Sequence, residues 1–242
     1  MSTPETSPFR KKSFIAAAIV VGVIVLAAII VLVTSLLSGS NAETPPASAP
    51  TSSPDDSPSA QPVEDPSVCG LEGFETENTL DSPPDTEWEL VGTVAAPTDP
   101  NGAGPGAVEN GFRSCYAHTA EGALYAAVGY VAVSSDSRNT PRLYELLASG
   151  PVRDRLEASP EGGDPSATRL QVAGFKVNSY TSAEATIDVA WQVTSEGGEL
   201  VSFPTVLRWE NGDWKVVIGE NGPPFAPSPL TNLGGYIPWA GV

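Results

Sequence analysis

AEATIDVAWQVT, residues 183–194, alternates apolar and polar positions through Ala185, Ile187, Val189, Trp191 and Val193. A period of two puts those five side chains on one face of an extended strand, and β-branched and aromatic residues pack well on a half-buried pleated surface. The stretch reads as a strand with one face in a core. Residues 168–180 alternate in the same way through Leu170, Val172, Gly174 or Phe175, and Val177. Residues 199–209 and 214–218 form two more strands, joined by Glu210-Asn211-Gly212-Asp213. Asn-Gly favours a two-residue type I′ turn, which sets Trp209 and Trp214 opposite each other across a hairpin. Three or four antiparallel strands then curl over the elements before them.

Those elements are helical. In TAEGALYAAVGYVAV, residues 119–133, Thr119 is a good N-cap and Glu121 lies in the first turn, where the helix dipole favours an acid. Ala120, Leu124, Ala127, Val128 and Val131 fall on one face built of small side chains, so this helix can lie close against a sheet. Tyr125 and Tyr130 either line a cavity or pack in the core, and core packing is the preferred reading. Two short helices follow, one started by Thr140-Pro141 with Leu143, Leu146 and Leu147 on its buried side, the other the solvated PVRDRLEA from Pro151. Upstream, residues 87–96 are a strand candidate with Trp88, Leu90, Gly92 and Val94 on one side. Residues 97–111, rich in Pro and Gly, read as a long loop without the Walker spacing of a phosphate cradle.

Further out, the chain changes character. Residues 38–67 are almost wholly Ser, Thr, Ala, Pro, Asp and Glu, with prolines at 46, 50, 54, 58, 62 and 66. That spacing allows no helix and offers little to bury, so the segment is expected to be a disordered stalk reaching roughly 90 Å when extended. Residues 14–37 carry no charge and follow Arg10-Lys11-Lys12. As a helix they are about 36 Å long, enough to cross a hydrocarbon core of about 30 Å. The flanking bases put residues 1–13 in the cytoplasm and everything after the span outside. A cleaved signal peptide ending near Ser40-Asn41-Ala42 is the rival reading, against which the apolar run is too long. The expected organisation is thus a cytoplasmic tail (1–13), a transmembrane helix (14–37), a stalk (38–67), an extracytoplasmic domain (68–219) and a Pro/Gly-rich tail (220–242).

Nine basic and 28 acidic residues lie beyond position 37, a formal charge of −19. Such a surface repels nucleic acid, so no direct nucleic-acid partner is expected. The only cysteines, Cys69 and Cys115, fall on the oxidising side and are expected to form a disulfide, stabilising the fold by on the order of 4 kcal/mol in the loop-entropy picture. His118 is the only histidine. A zinc site or a histidine triad therefore lacks its usual partners, and His118 reads as structural. No catalytic, metal or cofactor-binding residue is assigned. Arg138, Arg142, Arg153 and Arg155 form the one basic cluster, used either in pairing with nearby carboxylates or in meeting an acidic partner. Tyr236, Ile237 and Trp239 are apolar for a chain end and either dock back or contact a partner; with the arginines, Tyr236 and Trp239 complete the candidate partner-contact set.

A small-residue helix, two short helices and a curved antiparallel sheet ending in LRWENGDWKVV together resemble the nuclear-transport-factor-2-like cone fold. Carried outside a single amino-terminal span, such a domain is similar to the bitopic assembly components of conjugative type IV secretion systems, including their TcpC-like Gram-positive relatives. The Ala-, Gly- and Pro-rich, Lys-poor composition is similar to chains from actinobacteria. The resemblance covers roughly residues 114–219, carried by RWENGDWKV and SCYAHTAEGALYAAVGYVAV. It implies an α+β, non-enzymatic scaffold in the cell membrane whose partners are other secretion-apparatus membrane proteins and further copies of itself. Actinobacterial lipid-import accessory proteins share the layout and are the alternative. A cone-fold enzyme of isomerase type is a third reading, needing a carboxylate of raised pKa inside an apolar cavity. Glu184 and Asp188 sit in the right strand, but alternation turns them away from Ile187 and Val189 and towards solvent.

Overall fold

The computed structural model describes residues 66–240 apart from 161 and 165. The expected cytoplasmic tail, span and nearly all of the stalk lie outside these residues. Among the described residues no helix is long and apolar enough to cross a membrane.

The domain is α+β. Its main sheet runs in the order β1 (Glu87–Val91), β2 (Val94–Thr98), β5 (Leu170–Tyr180), β6 (Glu184–Val193), β7 (Glu199–Glu210) and β8 (Asp213–Val216). Between β2 and β5 the chain forms a small hairpin, β3 (Ala107–Glu109) and β4 (Phe112–Ser114), then α1 (Ala120–Ser135), a 3-10 helix (Thr140–Leu146) and α2 (Pro151–Ala158). Two short late strands, β9 (Ser228–Leu230) and β10 (Ile237–Pro238), attach to β7 and β5.

The alternating run does what its period predicts. Ala185, Ile187, Val189, Trp191 and Val193 are all buried, and β6 pairs with β7 without interruption from Glu184↔Arg208 to Val193↔Glu199. Asn211 and Gly212 adopt positive φ (55° and 75°), and Trp209 faces Trp214 in register with rings 5.3 Å apart. A pair of left-handed residues matches the twist of the strands they join. The same pair closes β3–β4 at Asn110-Gly111, also with positive φ, inside what the sequence reads as loop. The expected strand over 87–96 is likewise a hairpin: Gly92 takes φ +58° and reverses the chain, leaving Leu90 exposed. The sheet is not wholly antiparallel, because β2 meets β5 through one parallel pair, Val94↔Leu170.

α1 is capped as expected, with the Thr119 hydroxyl accepting from Gly122 N at 3.0 Å. Instead of one buried face it is buried nearly all round, from Ala120 to Val133. The sheet curls so far that β1, β2, β6, β7 and β8 all approach it, and β4 of the small hairpin packs on it as well. Small side chains and two glycines make that enclosure sterically feasible.

The chain enters the domain through a clamp. Cys69 and Cys115 are disulfide-bonded, Val68 N donates to Gly212 O at 2.8 Å, and Phe74 bridges to His118. Reduction should lower stability by about 2–4 kcal/mol in urea titrations. A Cys69→Ser/Cys115→Ser chain should show the same loss and no further response to reductant.

Candidate functional site

Among the described residues, polar side chains are buried notably at the junction around Asp213 and in a groove along β5 filled by the carboxyl-terminal strap.

At the first, Asp213 is buried at the start of β8, just after the Asn-Gly turn. Its carboxylate accepts from Cys115 N (3.1 Å), Tyr116 N (2.9 Å), Trp214 N (2.9 Å) and Lys215 Nζ (2.9 Å). It thereby ties the disulfide-bonded segment before α1 to the last hairpin. His118 lies beside it, stacked on Trp209 at 3.7 Å and edge-on to Phe74 and Trp214, with Nε2 donating to Ser182 O at 2.5 Å. This is the structural histidine the sequence suggests. Among the described residues no group of His, Cys, Asp and Glu is placed to hold a metal ion.

The second feature begins at β9, which extends β7 through Leu200↔Leu230 and Ser202↔Ser228. The chain then crosses β6 on the face away from Ile187 and Val189, and β10 adds to β5 through Ile237↔Phe175 and Pro238↔Gly174. Three anchors hold it. The Tyr236 hydroxyl donates to Asp188 Oδ2 at 2.7 Å, and Ser202 donates to Oδ1 at 2.7 Å, with Lys176 Nζ 3.7 Å away. Trp239 N donates to Ala173 O at 3.2 Å. The Trp239 indole drops into a slot between Trp88, Tyr125 and Phe175 with ring centroids 4.7, 5.9 and 5.6 Å away. Its Nε1 donates to Thr86 Oγ1 at 2.9 Å, and that oxygen lies 3.1 Å from the Tyr125 hydroxyl.

Burial first, and then the neighbouring Asp188 charge, raises the pKa of Tyr236. The phenol therefore stays protonated and keeps donating. Gly174 explains itself here: a Cβ on it would lie 2.8 Å from Ile237 O, so a side chain would push the strap off β5.

This arrangement corrects one expectation. Asp188 points away from Ile187 as alternation requires, but it is buried, because the strap covers that face; Glu184, further along the strand, is exposed. The tail is docked on its own domain, with Trp239 buried and Tyr236 partly so. The arginines largely find carboxylates of their own chain. Arg138 makes a two-pronged pair with Asp136, Arg142 pairs with Glu145 and Glu109 while lying over the Phe112 ring, and Arg153 reaches Glu157. Arg155 is half-buried with Nε and Nη2 unpartnered.

Sequence reasoning missed Arg113. It is fully buried behind β1 and β2, donating to Pro97 O at 2.9 Å and ion-paired with Glu89. It also missed Glu121, which borders a shallow crevice of about 220 Å³ with Glu75, Thr79 and Pro84. Burial raises the Glu121 pKa. A Glu121→Gln chain should therefore gain stability relative to the parent as pH rises through the raised value, and match it at acidic pH where both are neutral, read from urea midpoints across pH. Nothing in its i, i+4 spacing to Tyr125 distinguishes this acid from an ordinary first-turn glutamate.

A family model described as a domain of unknown function, DUF8175, matches residues 48–238. No curated protein and no solved structure matches the chain.

Proposed function

The chain belongs to the DUF8175 family, over a stretch taking in every described strand and helix, and from that premise we propose that it is a non-enzymatic, membrane-tethered scaffold acting through extracytoplasmic protein contacts in a conjugative, type IV secretion-like apparatus. The observation that carries this reading is the filled interior. Where a cone-fold enzyme holds its substrate, between curled sheet and helix, this domain packs Leu124, Val128, Phe175, Ile187, Trp191 and Leu207, each at most 2 % exposed. Trp239 closes the rim of the same core. With its centre occupied by its own side chains, the domain offers its outer surface for work. The charge-free run at 14–37 and the proline-rich stalk support a tether that holds this surface away from the bilayer.

Deleting the gene should lower transfer of a conjugative element by orders of magnitude, and the full-length chain should restore it. Cross-linking in intact membranes should trap the domain with further copies of itself or with other envelope proteins. Unchanged transfer, or a domain that stays strictly monomeric and without adducts, overturns the reading.

A reading of another class draws on Glu121, a carboxylate of raised pKa beside apolar Leu80, Pro83 and Pro84. Its crevice is open to solvent instead of enclosed in the core, which leaves an acid–base group exposed to competition from water.

A further inference from the structure

We infer that Asn110 is a self-modifying site: its link to Gly111 converts to aspartyl and isoaspartyl forms, with loss of ammonia, ahead of every other Asn-Gly in the chain. The tripeptide Glu-Asn-Gly occurs three times, at 109–111, 210–212 and 220–222, and a fourth Asn-Gly stands at 101–102. In such a pair the glycine amide nitrogen, unhindered by a side chain, attacks the asparagine Cγ. The N–Cγ bond forms as the amide proton is lost, the Cγ–Nδ2 bond breaks and ammonia leaves. Water then opens the five-membered imide at either carbonyl, giving Asp or isoAsp, and is the only co-reactant. Because three of the sites share one tripeptide, the fold decides which of them reacts first.

The step needs an unengaged amide nitrogen and a backbone able to leave its turn, and the four sites differ in both. Gly102 N donates to Asp99 O and to Asp99 Oδ1, each at 3.1 Å. Gly222 N donates to Gly219 O at 2.9 Å, and Gly219 N returns a bond to Gly222 O at 3.0 Å. Gly212 is buried, its carbonyl accepts from Val68 N, and its turn is held by the Trp209–Trp214 pair and the Asp213 carboxylate. Gly111 N makes no hydrogen bond among the described residues, and Asn110 is exposed. The turn joins strands of three residues each, outside the main sheet, and all of β3 is exposed. A lone two-stranded hairpin of that size is marginally stable, so it opens locally at small cost.

The product loosens the hairpin that formed it. IsoAsp inserts an extra methylene into the main chain of a two-residue turn, which the Glu109↔Phe112 pairing does not accommodate. Either product adds a carboxylate to a turn that already adjoins Glu109 and Asp136, whose Oδ2 lies 3.5 Å from where a Cβ on Gly111 would stand. Against that repulsion stand the Asn139 amide, donating to Asn110 O at 3.2 Å, and the Arg142–Glu109 pair at 2.9 Å. Phe112, buried in the intact domain, is uncovered as the hairpin peels away.

The test holds the full-length chain in warm, mildly alkaline buffer, samples it over days and maps the digested peptides by mass spectrometry, reading the replacement of an amide NH2 by OH. Asn110 should convert about tenfold or more faster than Asn101, Asn211 and Asn221, the ratio expected when one turn opens more readily than the rest. In urea the three Glu-Asn-Gly copies should converge on similar rates. Asn110→Gly, which keeps a residue that accepts positive φ, should abolish the early product, and the aged parent should be cut after Phe112 by chymotrypsin several-fold faster than fresh protein. Another asparagine converting first, equal rates in the folded chain, or an Asn110 that converts only in urea overturns the inference.

Discussion

Replacing Trp239 with alanine is expected to cost the domain about 3–5 kcal/mol, the range for emptying a buried aromatic site. Trp239 is 5 % exposed, and its indole packs against rings from β1, α1 and β5. Its loss leaves a cavity at the rim of the core and strips Thr86 of an indole donor. Tyr236→Phe, which removes only the hydroxyl bound to Asp188, should cost less, about 1.5–3 kcal/mol for a hydrogen bond to a charged group. Urea denaturation of the full chain followed by tryptophan fluorescence separates the two. A Trp239→Ala midpoint equal to that of the parent would mean that the last residues do not seat in the domain.

Asp213→Ala is expected to do comparable damage by a different route, on the order of 4 kcal/mol. The side chain contributes little apolar surface, yet its removal leaves the Cys115 and Tyr116 amides buried without acceptors, at about 1–3 kcal/mol each. Lys215 would keep the Glu145 carbonyl, to which it donates at 3.0 Å, but would lose its carboxylate. Asp213→Asn should rescue little, because the new amide turns a donor towards groups that are themselves donors. Hydrogen exchange gives the sharpest readout: the Cys115 and Tyr116 amides should lose protection ahead of those in β6. Protection unchanged at those two positions would show that the junction does not depend on this acid.

The two sites were unequally legible. The ENG turn at 210–212 announced a hairpin, and the same three letters at 109–111 announced another that the surrounding glycines and prolines obscured. Asp213 follows such a turn and looks like part of it. Its actual task, holding two amides almost a hundred residues earlier in the chain, leaves no local trace. Gly174 left a trace that was readable only as ambiguity: alternation through 168–180 stumbled there, and the strand carries a register shift between Val172 and Gly174. The arginines were legible in part, since pairing with nearby carboxylates was the preferred reading. Clustered in sequence, they are dispersed by the fold onto separate carboxylates.

By itself the sequence determined the local geometry: which strands alternate, where α1 is capped, and where the last hairpin turns. Those features depend on neighbours a few residues apart, and period, capping and turn chemistry report such neighbours directly. Only the tertiary structure decided which faces are wet. Alternation correctly turned Asp188 away from the core but could not foresee a strap arriving from Tyr236 to cover it, nor a sheet curled tightly enough to bury α1 on every side. Burial is set by segments distant in the chain, and no periodicity within a strand records what will later be laid across it.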